Sequence, residues 1–385
     1  MLFATLVGVT VLPLYASQVM LGPLDASLHL RAWTTLVTAL TMLGYAVGLV
    51  VLVPLVDRLP NRPLIGATLA AQACCLAVAA LAPAPIVFLA ASFAIGVTAS
   101  AIQMLVPAAA ALAPVEARGA VVGNVMSGLM LGILLSRPLA SVATRALGWR
   151  GFFIADAALL AIVAACAVPR LPPLLPASKP SYRALIASLG QLVVSVETLR
   201  RHALDQALLM IGFNMFWTSV AVVLSRAPFH CSAAQIAAFA LAGAGGAVAA
   251  PIAGHAADRG HVRRAKQISH LIAIFAIAIA ALALTAPLSR SVAIGLAAAA
   301  AFLLDAGVIA DQALGRRAIN LLAPASRGRV NGLFTGLFFI GGALGAALSG
   351  PTLASFGWLG VCAVSLAAFA AAAVIHQTHR NRTPA

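Results

Sequence analysis

PLVDRLPNRP at Pro54–Pro63 and GHAADRGHVRR at Gly254–Arg264 are two copies of one short charged turn in an otherwise apolar chain. Each copy lies where one apolar segment ends and the next begins. The copies share an acidic residue, the arginine that follows it and a further arginine, namely Asp57, Arg58 and Arg62 in the first and Asp258, Arg259 and Arg263 in the second. The repetition indicates a chain built from two related halves.

The composition predicts a membrane protein. Of 385 residues, 62% are hydrophobic and only 9% are charged, whereas a soluble domain carries about 25% charged residues. Apolar segments of about 20 residues recur along the chain, and each can cross a hydrocarbon layer about 30 Å thick. We expect an all-α membrane protein with twelve transmembrane helices, since the sequence lacks the alternating pattern of a membrane barrel.

The placement of charge predicts the orientation in the bilayer. The net charge is +15, and eighteen of the 24 basic residues follow even-numbered spans or lie in the tail. We therefore expect cytoplasmic N and C termini, a lipid bilayer as partner and no nucleic acid partner. Lys266 counts among these loop bases. Asp205 and Asp311 are expected near the cytoplasmic helix ends, in contact with water.

Further repeats support two halves of six spans each. RGAVVG at 118–123 recurs as RGRVNG at 327–332, and Gly148-Trp149 recurs 209 residues later as Gly357-Trp358. We predict an N-terminal six-helix bundle at 1–168, a cytoplasmic linker at 169–203, a C-terminal six-helix bundle at 204–376 and a cytoplasmic tail at 377–385. A parallel duplication of this kind is typical of transporters that hold substrate near the membrane midplane, between the halves.

At these residues the chain resembles the major facilitator superfamily, whose signature between spans two and three is G-x-L-x-D-R-x-G-R-R. The second copy keeps Gly254, Asp258, Arg259, Arg263 and Arg264, whereas Val53 replaces the leading glycine of the first. Stretches such as LYASQVML at 14–21 and DAGVIADQ at 305–312 resemble bacterial efflux-type permeases of that superfamily more narrowly. The resemblance covers essentially the whole chain.

The resemblance implies a secondary transporter of a bacterial inner membrane that works by alternating access. We expect proton-coupled efflux of a small organic solute or drug by a monomer, with the proton gradient as energy source and no cofactor or metal. The sequence has no GxxxxGK[ST], HExxH or GxSxG motif, and we do not expect an enzyme. Uptake or facilitated diffusion of a metabolite or sugar remains an alternative, as does a membrane receptor or scaffold that transports nothing.

The charged turns are candidate cytoplasmic latches. Each carboxylate could meet the start of a helix in the other half, Asp57 that of span eleven and Asp258 that of span five. Such a contact is worth about 0.3–1 kcal/mol, and a nearby arginine adds to it. The candidate gate residues are Asp57, Arg58, Arg62, Arg118, Asp258, Arg259, Arg263 and Arg329. The alternative is a structural turn whose charges only set topology. The degenerate first copy makes Asp258 the more important carboxylate of the two.

Ionisable residues within spans are candidate functional groups because burying them is costly. They are Arg137, Asp156 and Asp305. Arg137 and Asp156 lie on adjacent spans and could simply pair. Asp305 lies near the middle of span ten, where burial favours the protonated carboxyl. We expect it to couple protons or bind substrate, and the alternative is a hydrogen-bonded packing group.

Polar residues on spans one, four and seven are candidates for the substrate cavity, since spans one, four, seven and ten line it in the superfamily. They are Tyr15, Gln18, Gln103, Asn214 and Trp217. A Tyr or Trp could equally be an interface anchor. Glycines at small-xxx-small spacing in spans five and eleven predict close helix contacts; they include Gly128, Gly132, Gly341 and Gly345. With Pro138, span five resembles a degenerate form of the superfamily's antiporter motif, which does not by itself assign antiport.

The predicted orientation can be checked with reporter fusions. Green fluorescent protein fused after Ala385 should fluoresce, and alkaline phosphatase at the same site should be inactive, because both would stay in the cytoplasm. Phosphatase fused after Pro228, in the loop that follows span seven, is the control and should be active. The opposite pattern of activities would reverse the orientation.

Overall fold

The computed structural model describes residues 1–112, 114, 117–176, 181–322 and 327–378. In that part of the chain the secondary structure is helical throughout, with short turns between helices. The helices form two compact units, Met1–Ser195 and Val196–Ala385. The fold class predicted from composition, an all-α protein, is confirmed.

The described residues of the first unit form seven α-helices. They are α1 Leu2–Leu28, α2 Leu36–Val51, α3 Asn61–Leu81, α4 Pro85–Ala99, α5 Ala101–Ala110, α6 Arg118–Ala167 and α7 Tyr182–Ser195. A short 3₁₀ turn at Val53–Asp57 ends α2 and contains the first copy of the charged turn's aspartate. Helices α4 and α5 together form one apolar stretch, Pro85–Ala110, long enough to cross a membrane.

In the second unit, six α-helices are present in the part of the chain that the structure describes. They are α8 Glu197–Ser225, α9 Ala233–Ala244, α10 Ala249–Asp258, α11 Val262–Thr285, α12 Arg290–Leu322 and α13 Arg327–Thr378. Between α9 and α10 the chain forms a 3₁₀ turn at Gly245–Val248, so this apolar segment is a broken helix. The second charged turn starts at Asp258, the last residue of α10.

Two very long helices each contain two spans. Helix α6 has a kink at Gly148 (φ 72°), and α13 has one at Gly357 (φ 63°). Both values fall in the left-handed region, which glycine enters at little cost. These are the glycines of the repeated Gly-Trp pair. Nine apolar stretches of the described residues are long enough to cross a membrane. Dividing the two kinked ones and adding the broken α9–α10 segment gives the predicted twelve spans.

Glycines let the first helix of each unit approach its kinked helix closely. A Cβ built on Gly128 of α6 would lie 2.2 Å from the carbonyl oxygen of Ala4 in α1. A Cβ on Gly341 of α13 would lie 2.2 Å from that of Ala207 in α8. Contacts this short exclude any side chain, so the small-xxx-small prediction is confirmed at both glycines. Gly132 and Gly345 make equivalent contacts with Gly8 and Ile211.

Hydrogen bonds hold the segment after α6 against the first unit. The backbone N–H of Leu174 donates to Oδ1 of Asn61, at the start of α3, over 2.9 Å. The hydroxyl of Tyr182 donates to the carbonyl oxygen of Val51, at the end of α2, over 3.0 Å. Leu185 and Leu189 give α7 one buried face. Helix α7 is therefore held by polar anchors and an apolar stripe.

We expect Gly341→Ala to destabilise the protein by about 1–3 kcal/mol, because the added methyl group overlaps the α8 backbone. The matched control is Gly295→Ala in α12, where a Cβ meets nothing within 4 Å. Thermal unfolding of both purified variants in the same detergent measures the difference. Equal melting temperatures for the two variants would contradict the close contact.

Candidate functional site

Asp305 and Trp217, predicted separately, form one contact in the second unit. The indole Nε1 of Trp217 in α8 donates a hydrogen bond to Oδ1 of Asp305 in α12 over 2.8 Å. Both side chains are buried, with exposures of 3% for Asp305 and 1% for Trp217. The carboxylate predicted near the middle of span ten is therefore enclosed by the helix bundle rather than exposed to lipid.

Aromatic rings and glycines surround this contact. The Trp217 ring lies 5.4 Å from that of Phe216 and 5.9 Å from that of Phe239, measured between centroids. A Cβ on Gly246, in the 3₁₀ turn between α9 and α10, would lie 2.7 Å from Cβ of Asp305. The break in span eight thus packs directly on the carboxylate-bearing residue. A 3₁₀ stretch inside a helix often marks a functional hinge.

Tyr15, Gln18 and Arg137 form a second group, in the first unit. Nε of Arg137 in α6 donates to Oε1 of Gln18 in α1 over 2.8 Å. The guanidinium carbon lies 5.4 Å from the centre of the Tyr15 ring, within the range of a cation–π contact. Arg137 is only 3% exposed. Two cavity candidates and one intramembrane charge are thus brought together.

Asp156 and Arg137 do not form a pair. Both carboxylate oxygens of Asp156 are buried and have no hydrogen-bond partner in the described part of the chain. The side chain lies in α6 after the kink, where it is 4% exposed. The simple-pairing alternative is therefore wrong in this structure, because the guanidinium is directed to α1 instead.

The other cavity candidates make local contacts within their units. Nε2 of Gln103 in α5 donates to the Tyr45 hydroxyl of α2 over 3.4 Å. Nδ2 of Asn214 donates to the carbonyl oxygen of Met210, one turn earlier in α8, over 3.0 Å. Gln103 is half-buried and Asn214 is fully buried. Each unit thus keeps its own polar groups inside its bundle.

A buried cluster of charged side chains in the second unit contradicts the expected positions of Lys266, Asp205 and Asp311. Nζ of Lys266 in α11 lies 2.6 Å from Oδ2 of Asp205 in α8 and 3.3 Å from Oδ1 of Asp311 in α12. Nε2 of His270, one turn after Lys266, lies 3.1 Å from the same Asp311 oxygen. We call Lys266, Asp205, Asp311 and His270 the charge cluster.

All four side chains of the charge cluster are buried, with exposures of 1% for Lys266 and Asp311. The expectations that Asp205 and Asp311 contact water and that Lys266 is a loop base are therefore wrong. One signal in the sequence could have indicated that Lys266 is buried. Lys266 is one of only two lysines, and it shares a helix face with His270 at the start of an apolar segment.

The two charged turns differ in their contacts. Asp258 pairs with Arg317 of α12, within its own unit, over 2.5 Å, and both side chains are exposed. Asp57 is half-buried, and its carboxylate forms no ion pair with another described residue. The remaining gate candidates Arg58, Arg62, Arg118, Arg259 and Arg263 are exposed. The side chain of Arg329 lies outside the described residues.

The chain was compared with known proteins. The family model described as Major Facilitator Superfamily matches residues 1–310. The chain belongs to the major facilitator superfamily. It is 32% identical over 357 residues to the uncharacterized transporter YgaY of Escherichia coli O157:H7, covering 92% of this chain and 89% of that one. It is 31% identical over 265 residues to the probable transporter SCO4007 of Streptomyces coelicolor, covering 68% and 60%.

Solved structures show the same fold. The inward-facing, unoccupied structure of a bacterial homologue of the human lysosomal transporter Spinster matches with a TM-score of 0.72 and 15% identity, covering 98% of this chain and 94% of that one. The nucleoside transporter NupG matches with a TM-score of 0.74 and 14% identity, covering 98% of each chain. The predicted twelve-helix superfamily fold is confirmed, and the protein is a membrane transporter rather than an enzyme.

Removing the lysine of the charge cluster should destabilise this transporter. We expect Lys266→Met to cost about 3 kcal/mol or more, because Asp205 and Asp311 would be left buried without their cation. The double variant Lys266→Met/Asp205→Asn, which removes one charge of each sign, should unfold at a higher temperature than the single variant. Thermal melts in detergent test this order, and a double variant less stable than Lys266→Met would contradict it.

Proposed function

We propose that this superfamily member exports a small organic solute in exchange for protons, with Asp305 as the proton-coupling residue. The single observation that carries the proposal is the buried contact between Asp305 and the Trp217 indole. A carboxylate in an apolar interior changes the local charge each time it binds or releases a proton. It can therefore link proton movement to a change in the surrounding helices.

The contact with Trp217 suits a group that alternates between two protonation states. An indole N–H can only donate, and a carboxyl group keeps an acceptor oxygen whether it is ionised or protonated. The side chain of Asp305 thus stays in place while its charge changes. Gly246 of the broken span eight packs against it. The change in charge therefore occurs beside a 3₁₀ turn, a feature that often marks a hinge in a helix.

The cargo that we propose is moderately apolar, because the candidate cavity residues Tyr15, Gln18, Gln103, Asn214 and Trp217 offer hydrogen bonds and aromatic surface. Proteins of similar structure include a nucleoside transporter, which makes a nucleoside or sugar a second class of cargo to test. Uptake, or facilitated diffusion without protons, remains the alternative mode.

We further propose a monomer in the bacterial inner membrane with both termini in the cytoplasm, as the distribution of arginines favours. The charged turns would act there as latches between the halves. Asp258 is already paired with Arg317, so a latch with the start of span five requires that this exposed pair opens. Exposed pairs contribute only about 0–1 kcal/mol, which makes the exchange energetically possible.

The export proposal is tested in inverted membrane vesicles that contain the overexpressed protein and carry an acid-inside gradient reported by a quenched acridine dye. Chloramphenicol, arabinose and uridine are added in turn. A solute exchanged for protons should restore fluorescence, because protons leave the vesicle as solute enters. Asp305→Asn should abolish the response, because an amide cannot carry the proton.

Glu197→Gln is the matched control, since it removes an exposed carboxylate that pairs with Arg201 at the start of α8. It should respond like the wild type. Solute that equilibrates without any fluorescence change would show facilitated diffusion instead. A full response in Asp305→Asn would exclude Asp305 as the coupling residue.

A further inference from the structure

The charge cluster is separate from the Asp305 contact and has an unbalanced charge. Asp205 belongs to α8, Lys266 and His270 to α11, and Asp311 to α12. One ammonium and two carboxylates leave one negative charge in excess when His270 is neutral. An excess charge in a low-dielectric interior is costly. One additional proton on His270 makes the cluster neutral.

We propose that the charge cluster is a proton-binding site of the second unit, in which His270 holds the proton. This proposed site does not depend on Asp305 being the coupling residue. It does not depend on the direction of transport either. The bound species is a hydrogen ion. Its charge is balanced by the one carboxylate charge that Lys266 does not neutralise.

The hydrogen-bond pattern shows where the proton binds. Oδ1 of Asp311 receives both Nζ of Lys266 and Nε2 of His270. An ionised carboxylate only accepts, so Nε2 of His270 carries a hydrogen. The other ring nitrogen, Nδ1, is buried and has no hydrogen-bond partner among the described residues. Oδ1 of Asp205 and Oδ2 of Asp311 are also buried without a hydrogen-bond partner among the described residues. We assign the additional proton to Nδ1 rather than to these oxygens, because an imidazole is more basic than a carboxylate, with reference pKa values of about 6.5 and about 3.9.

Titratable groups of α8, α12 and α13 lie near His270. Besides the cluster itself they are His202 of α8, which is half-buried near Lys266 and Asp311, and His376 of α13. The His376 ring lies 5.6 Å from the His270 ring, edge to face. Nε2 of His376 and Nδ1 of His202 also have no hydrogen-bond partner in the described part of the chain. His376 is half-buried near the end of α13, so it connects the buried site with the surface of the unit.

The test is ¹⁵N NMR of the histidine rings in the full chain, labelled on histidine and reconstituted in lipid nanodiscs at neutral pH. His270→Gln assigns the signal. In the wild type both ring nitrogens of His270 should be protonated. In Asp311→Asn the excess negative charge is gone, and His270 should carry a single ring proton.

Two controls distinguish an effect of the net charge of the cluster from a structural effect of the substitutions. Lys266→Met/Asp205→Asn leaves the charge sum unchanged, so His270 should remain doubly protonated. His255, an exposed histidine whose Nδ1 contacts the carbonyl oxygen of Pro251, should be the same in all variants. A neutral His270 in the wild type, a doubly protonated one in Asp311→Asn or a neutral one in the double variant would each overturn the proposal.

Discussion

The ion pair between Lys266 and Asp205 is the interaction on which the second unit depends most. An ammonium group that is 1% exposed is tolerated inside a bundle only when carboxylates compensate it. Here the compensating groups come from α8 and α12, so one side chain fixes three helices in register. The first unit has no described counterpart with several carboxylates. Its buried cation, Arg137, is instead held by the amide oxygen of Gln18 and the Tyr15 ring.

The two halves therefore share a backbone plan but differ in buried charge. Both have a first helix packed on a kinked helix through glycines, and the kinks fall at the equivalent Gly148 and Gly357. Close backbone contact and a left-handed glycine are constraints of geometry, which a duplicated sequence keeps. The buried charges are constraints of function or of local compensation, and each half has its own. The contact of Asp305 with Trp217 belongs to the second unit alone.

The backbone plan could be predicted from the sequence because apolar length, repeated glycines and repeated turns are local signals. The charge cluster could not, for two reasons. Hydropathy assigns a lysine near a span boundary to a loop, although Lys266 lies one turn inside α11. The depth of Asp205 and Asp311 depends on which helix faces them, which is a property of packing. Trp217 and Asp305 were each recognised as polar groups in spans, but their contact joins positions 88 residues apart.

Helix α12 contributes one carboxylate to each of the two candidate proton sites. Asp305 and Asp311 are six residues apart, which is about 9 Å along a helix, and successive residues turn by about 100°, so the two carboxylates point to different neighbours. Asp305 meets α8 and the break between α9 and α10, whereas Asp311 meets α11. A change in charge on Asp305 or on His270 alters a contact that α12 makes. Because α12 makes both contacts, a movement of this helix changes the geometry of both.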